Sequence, residues 1–182
     1  EKQMLKEPKA KKINTILTSH GHDRIDSYYW MRERDNPDVL NYLHQENDYR
    51  NNFMSDYKNL ENKIFSEIKN RIKDDDSSVP YYDNGYFYYT RFEKEKQYPI
   101  YCRKKKLKSK EEVLIDVNIF SKGFEYYRVG SIDISPDNKI MAYSYDTLSR
   151  RLYTIKFINL ETGKEIGKSI TNTSGGVSWA ND

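Results

Sequence analysis

The sequence predicts an α+β chain in which an N-terminal helical extension precedes the first blades of an incomplete β-propeller. A unit of short strand, Asp-Asn turn and longer strand begins at 79–92, returns at 129–145 and starts again at 176–182. Its turn aspartates fall at 83, 137 and 182, so the intervals are 54 and 45 residues, close to the roughly 40–50-residue period of a four-stranded blade. Strand candidates fill each period four at a time, at 79–82, 86–92, 98–104 and 112–117, then at 129–134, 139–146, 151–159 and 165–170. Within 86–92, Tyr86, Tyr88, Thr90 and Phe92 share one face while Phe87, Tyr89 and Arg91 share the other. Aromatics on both faces suit a sheet covered from both sides. The same turns permit an ordinary antiparallel meander or sandwich. On the propeller reading the chain divides into an extension over 1–78, a first blade over 79–128, a second over 129–174 and the opening strand of a third over 175–182. Such a series does not close a ring, so the sequence reads as a fragment of something longer.

Residues 1–19 are basic and then mildly apolar (Ile13, Ile16, Leu17) without a period, and are expected to be extended or disordered unless docked. His20-Gly21-His22-Asp23 reads as a polar turn. His20 and His22 stand at a spacing that can chelate a metal from a strand, yet only His44 remains to join them, and a zinc site needs three or four ligands. Tyr28-Tyr29-Trp30 is a run of large aromatics that must be covered and that no repeat unit claims. Asn36-Pro37-Asp38 is a helix start: Asn caps, Pro fits the first turn and an acid meets the positive end of the dipole. A broken apolar stripe follows (Val39, Leu40, Leu43, then Tyr49, Phe53, Met54, Tyr57). A cleaner one follows at Leu60, Ile64, Phe65, Ile68 and Ile72. Acids are misplaced at a helix C-terminus, so Asp74-Asp75-Asp76 puts the helix end near Arg71 or Ile72 and reads as a solvated linker. Cys102 reads as a packed apolar residue beside Tyr98 and Ile100, and Arg103–Lys110 as a solvated basic loop. Phe124, Tyr126 and Tyr127 are expected to pin the crossing between blades. Glu161-Thr162-Gly163-Lys164 reads as a hairpin turn.

Composition excludes several classes. The 31 basic and 28 acidic residues nearly balance, which gives no electrostatic footprint for nucleic acid. A single cysteine permits no internal disulfide, and no apolar run reaches the roughly 18 residues that span a bilayer. The chain is therefore expected to act in the cytoplasm, or in the periplasm if a signal peptide has been removed, with no membrane and no nucleic-acid partner. No Gly-x-Ser-x-Gly elbow, P-loop, Rossmann glycine pattern, His-Glu-x-x-His helix or paired-Cys motif occurs. Ser174-Gly175-Gly176 lacks the preceding glycine and leads into a strand instead of out of one. The expectation is that no catalytic, cofactor-binding or metal-binding residue lies in this chain and that no cofactor is used.

The order of pieces nevertheless resembles a known family. His20-Gly21-His22-Asp23-Arg24-Ile25-Asp26-x-Tyr28-Tyr29-Trp30 and Asn36-Pro37-x-Val39-Leu40-x-Tyr42-Leu43-x-x-Glu46-Asn47 resemble the N-terminal extension of the prolyl oligopeptidase family of serine peptidases. Three later strings are similar to its oligopeptidase B (protease II) branch. They are Arg71-Ile72-Lys73-x-Asp75-Asp76-x-Ser78-Val79-Pro80-Tyr81, Gly85-Tyr86-x-Tyr88-Tyr89-x-Arg91 and Lys96-x-Tyr98-Pro99-Ile100-Tyr101. Ser135-Pro136-Asp137-Asn138 and Val177-x-Trp179-Ala180-Asn181-Asp182 also fit that branch.

The resemblance implies a seven-bladed propeller joined to an α/β-hydrolase domain that carries Ser, Asp and His, with cleavage of short peptides after Lys or Arg. It implies that the extension packs on the hydrolase domain, which is absent from this chain, and that the propeller filters peptide substrates by size. None of the catalytic residues can be carried onto this sequence. Alone, the chain is expected to be inactive and to self-associate through uncovered apolar surface. Two other readings stand beside this one: a non-catalytic propeller-type module that binds proteins, and a basic nucleic-acid adaptor using Arg103–Lys110.

Overall fold

The computed structural model describes residues 5–180. The chain separates into two compact units, Glu1–Ile72 and Lys73–Asp182.

The first unit opens with a hairpin that sequence reading missed. Strands β1 (Thr15–Ser19) and β2 (His22–Asp26) pair antiparallel from Thr15↔Asp26 to Ser19↔His22. Residues expected to be extended or disordered are thus in a ladder, and the polar turn shrinks to His20-Gly21. Both turn residues have positive φ (51° and 78°), the two-residue geometry whose twist matches the flanking strands. Tyr29–Arg32 then forms a 3-10 turn. Of the aromatic run expected to be covered, Trp30 is only 7% exposed and its indole N–H donates to the Lys11 carbonyl at 3.0 Å, while Tyr28 stays half exposed.

Helix α1 (Pro37–Met54) starts where the sequence says, with the Asn36 side chain accepting from the Asp38 N–H at 2.9 Å. Its apolar stripe is covered only at Val39, while Leu40, Leu43 and Phe53 stay half exposed. A 3-10 turn over Ser55–Tyr57 leads into helix α2 (Lys58–Asn70), which ends just short of the acid run. No side chain of α2 is buried, and its stripe lies open, with Phe65 66% exposed.

The second unit contains two four-stranded antiparallel sheets with strands in sequence order. The first comprises β3 (Tyr81–Asp83), β4 (Tyr86–Arg91), β5 (Ile100–Lys104) and β6 (Glu112–Asp116). One helical turn, α3 (Val117–Phe120), starts the connection to the second sheet. That sheet comprises β7 (Arg128–Ile134), β8 (Ile140–Asp146), β9 (Tyr153–Asn159) and β10 (Ile170–Thr173).

The last strand lies later than expected. Of the residues expected to form it, 165–169 do not; Glu165 makes only an isolated bridge to Ile158, and the ladder resumes at Ile170↔Ile155. The reason is local: Gly163 and Gly167 both take positive φ and bend the chain out of register. Gly175–Ala180 have no ladder partner. They are tied to the second sheet by the Ser144 hydroxyl, which donates to the Gly175 carbonyl at 2.6 Å, and by Trp179, which packs edge-on against Phe157. The rest of the strand expected over 175–182, Asn181 and Asp182, lies outside the described residues.

Side chains from both sheets make one core. Ile115 and Val117 meet Met141 and Tyr143, and Tyr127 of the connection joins them. Tyr127 stacks on Tyr145 with ring centres 5.4 Å apart, and Phe120 meets Tyr143 edge-on at 6.0 Å. Each such aromatic pair adds roughly 0.5–1.5 kcal/mol beyond the area it hides. Of the residues expected to pin the crossing, Tyr127 does so, whereas Phe124 covers it from outside and stays half exposed. On the opposite face of the first sheet, Tyr89, Ile100 and Cys102 form a second small cluster. Adjacent Tyr88 and Tyr89 are therefore both buried on opposite faces, as two-sided aromatic patterning requires.

Candidate functional site

A cavity of about 400 Å³ separates the first sheet from strand β7, within the size range of small-ligand and peptide pockets. One wall is aromatic: Tyr81, Tyr88 and Tyr101 come from three neighbouring strands, and Tyr81 stacks on Tyr88 at 5.6 Å. This follows from register, since Tyr81 lies opposite Tyr88, and Thr90, two residues on and so on the same face, lies opposite Tyr101. The other wall is the consecutive run Val129–Ile134 of β7. This strand pairs with β8 alone, so its second edge has no strand partner among the described residues. Its ladder is interrupted by a bulge between Val129 and Ile132. There the Ser131 N–H leaves the regular pattern and donates to the Ser144 hydroxyl at 3.0 Å. Gly130 sits in the bulge because a Cβ would come within 2.6 Å of the Tyr153 ring.

Asp83 and Asp133 are among the lining residues, and Arg103 lies opposite Tyr88 in the ladder, near enough to offset part of the rise that burial gives the Tyr88 phenol. Asp133 is held in place: it accepts from the Trp179 N–H at 3.2 Å and from the Ile134 N–H at 3.1 Å. The Asp83 carboxylate receives no hydrogen bond from the described residues and stands exposed at the end of β3. Burial pushes the Tyr81 phenol above its usual value, and the nearby Asp83 and Asp133 charges push it further. Burial alone raises Tyr101, apart from a small opposing effect of Arg128. The cavity is thus a tyrosine-walled slot beside a bare strand edge.

The residues weighed from sequence fall elsewhere. His20 and His22 are exposed on the β1–β2 hairpin and His44 on α1, and no group of His, Cys, Asp or Glu among the described residues can hold a metal. Cys102 is 1% exposed, packed with Ile100 and Tyr89. Tyr98 belongs instead to the core between the sheets, because the strand begins only at Ile100. Burial, reinforced by Glu111, pushes the Cys102 thiol up to about 12, which makes it a poor nucleophile.

The basic run 103–110 is not all solvated loop. Arg103 is 3% exposed, its guanidinium forks onto Glu112 at 2.8 and 2.9 Å, and it lies 4.1 Å above the Tyr86 ring. Lys104 lies over the Tyr89 ring at 4.5 Å. Both rings come from the adjacent strand β4, not from the basic run itself. Ser174-Gly175-Gly176 is a bend whose Gly175 lies against the Tyr153 ring. Sequence reading passed over Asp133 and the small pair Gly130-Ser131. The available signal was that pair inside an otherwise β-branched strand, which marks a bulge or a close approach.

Comparison with known proteins fits this architecture. The profile of the prolyl oligopeptidase N-terminal β-propeller domain matches residues 8–182. Dipeptidyl aminopeptidase BI of Pseudoxanthomonas mexicana is 40% identical over 95% of this chain and 26% of its own length. Protease 2 of Moraxella lacunata is 32% identical over 96% of this chain and 26% of its own. Among solved structures, oligopeptidase B from Leishmania major superposes with a TM-score of 0.86 at 29% identity, over 99% of this chain and 28% of that one. Oligopeptidase B from Trypanosoma brucei, in a closed form with covalently bound antipain, superposes with a TM-score of 0.83 at 27% identity, over 97% and 28%. The chain therefore spans about a quarter of the length of the relatives it matches. With a domain profile covering almost its entire length, and an N-terminal helical unit followed in sequence by two four-stranded antiparallel sheets, the chain belongs to the prolyl oligopeptidase family.

Proposed function

We propose that the chain is the N-terminal part of a serine oligopeptidase that hydrolyses short peptides after Lys or Arg. In this reading the two sheets are consecutive blades of a seven-bladed ring that admits peptides and refuses folded proteins. The helical unit is a strap against an α/β-hydrolase domain outside this chain. Acyl transfer through a Ser–His–Asp triad would take place in that domain, so residues 1–182 alone are inactive.

The observation that carries this is the superposition on two oligopeptidase B structures over nearly the whole chain. The open α2 stripe agrees with it: Leu60, Ile64, Phe65 and Ile68 are apolar at helical spacing, and no residue of that helix is buried. No helix among the described residues is long and apolar enough to cross a membrane. The proposed place of action is the cytoplasm, with the periplasm as the alternative.

A second reading of specificity rests on the 40% identical relative, which is named a dipeptidyl aminopeptidase. The two separate in one assay on the product of the whole reading frame. An N-blocked Arg-aminocoumarin reporter is expected to be hydrolysed, and a phosphonylating serine reagent is expected to abolish the activity. Turnover of only those reporters that carry a free N-terminal dipeptide would replace endopeptidase action with dipeptide release. If neither is turned over while peptides still bind, a non-catalytic binding module is the better description.

A further inference from the structure

Both sheets of the second unit are antiparallel and run in sequence order, so alternate connections fall at the same end. The β3–β4 turn and the β5–β6 loop share one end of the first sheet, and the β7–β8 turn and the β9–β10 loop share one end of the second. Side-chain bonds of Asn84 and Asn138 join the two turns, which sets these two ends side by side. The first loop carries Lys105, Lys106, Lys108 and Lys110, all exposed, and none of them forms an ion pair among the described residues. A tight turn, closed by the Ser109 N–H on the Lys106 carbonyl at 2.9 Å, puts Leu107 at its tip, 59% exposed. The second loop repeats the arrangement, with Ile166 exposed between the exposed Lys164 and Lys168. Of the acids there, Glu111 pairs with Arg91 and Glu165 with Lys156. Only Asp83, Asp137 and Glu161 remain against six unpaired lysines.

We infer that this end of the second unit docks on an anionic lipid surface. The lysines lie over the headgroups, and Leu107 and Ile166 enter the boundary between headgroups and acyl chains. Attraction of lysines to an anionic leaflet fades within a Debye length and is weak for each residue, so stable docking takes a second, short-range signal. An aliphatic side chain at the tip of a basic loop supplies it. The chemistry argues against other polyanions. Neither loop carries an aromatic ring on which a base could stack, and an acidic protein would need the lysines but not the two aliphatic tips. The charges are spread over two loops, and the tyrosine slot draws no lining residue from either. No apolar run spans a bilayer, but peripheral docking requires none. The inference goes beyond the oligopeptidase reading and does not depend on it.

The test uses the product of the whole reading frame, sedimented with vesicles of phosphatidylcholine alone or of phosphatidylcholine mixed with phosphatidylglycerol. Binding to the mixed vesicles is expected to be at least tenfold tighter and to fall as salt is raised. Lys106→Gln combined with Lys108→Gln is expected to weaken it more than tenfold, since each lysine near such a surface is worth about fivefold. Leu107→Ser combined with Ile166→Ser keeps every charge and is expected to weaken it at least fivefold. Lys94→Gln combined with Lys122→Gln removes two exposed lysines at the opposite end of the sheets and is expected to change nothing.

No sedimentation with the mixed vesicles, or equal sedimentation with both kinds, overturns the inference. So does a loss in the Lys94 and Lys122 variant that equals the loss in the Lys106 and Lys108 variant, which would make net charge the cause. Unchanged vesicle binding in the serine variant, with equal retention on immobilised polyglutamate, would make the partner an acidic protein and also overturns it.

Discussion

Asn84 and Asn138 occupy matching places in the two Asp-Asn turns and bond across to each other's turn. The Asn84 side-chain amide donates to the Pro136 carbonyl at 2.8 Å, and the Asn138 amide donates to the Asn84 carbonyl at 3.1 Å. Both residues take positive φ, at 41° and 61°, a conformation that asparagine tolerates better than most residues. The same residue type therefore shapes each turn and ties the two turns together.

Replacing Asn84 by glycine keeps the backbone and removes one bond between the sheets, so it is expected to cost about 1 kcal/mol. Asn84→Ala is expected to cost more, because alanine is strained at this φ. Asn138→Gly is expected to cost less than Asn84→Gly, because it also removes a buried Oδ1 that lacks a partner. Urea midpoints of the single and double variants check this, and the pair is expected to be non-additive.

Arg103 anchors the same end of the interface, with Glu112 and the Tyr86 ring as its partners. Arg103→Ala is expected to cost about 2 kcal/mol, the scale of lost hydrogen bonds to a charged group, because Glu112 remains partly exposed to water. Arg103→Lys is expected to recover less than half of it, since an ammonium cannot reproduce the two-pronged contact with Glu112. Thermal unfolding midpoints give the comparison.

Asp146 is buried at the end of β8 and gathers the following loop, accepting from the N–H groups of Leu148, Arg150 and Arg151 at 2.7–3.0 Å. Burial works to raise its carboxyl, but these backbone donors prevail and hold it below the ordinary 3.8. The folded state thus binds this proton less tightly than the unfolded chain. The associated stability is present above about pH 4 and drains away as pH falls through the folded value. Asp146→Asn is expected to be less stable at pH 7 and to show a flatter loss of stability between about pH 4 and pH 2, measured by denaturant titration at several pH values.

Cys102 is expected to resist aromatic disulfide reagents in the native state and to react at once in denaturant, because it is enclosed by Ile100 and Tyr89. Its folded value near 12 exceeds the ordinary 9.0. The folded state therefore holds this proton more tightly, and the stability linked to it falls as pH climbs from about 9 toward about 12. Rapid labelling under native conditions would show that the strand opens locally.

The open stripe of α2 makes its own prediction. Residues 1–182 alone are expected to bind a hydrophobic dye and to show light scattering that rises with concentration. Ile64→Glu combined with Ile68→Glu is expected to cut both signals by more than half without loss of helix signal, because neither side chain is buried. A dye-silent monomer would show that the stripe is covered within the chain itself.

What the sequence determined by itself is local or periodic. Asn36-Pro37 starts a helix through groups within three residues of one another, and Asp-Asn turns place hairpins wherever positive φ is cheap. Two-sided aromatic patterning in Tyr86–Arg91 declares a doubly covered strand whatever covers it. Tertiary structure alone decided the features that depend on distant partners. Arg103 is buried because Tyr88 lies opposite it and Glu112 beside it in the ladder, while a turn some 35 residues later closes over it. Thr15–Asp26 becomes a hairpin because a two-residue turn aligns strands of weak apolar pattern. β10 begins at Ile170 because Gly163 and Gly167 delay the ladder. The tyrosine slot lies between the first sheet and β7, and a gap between two elements is not encoded in either one alone.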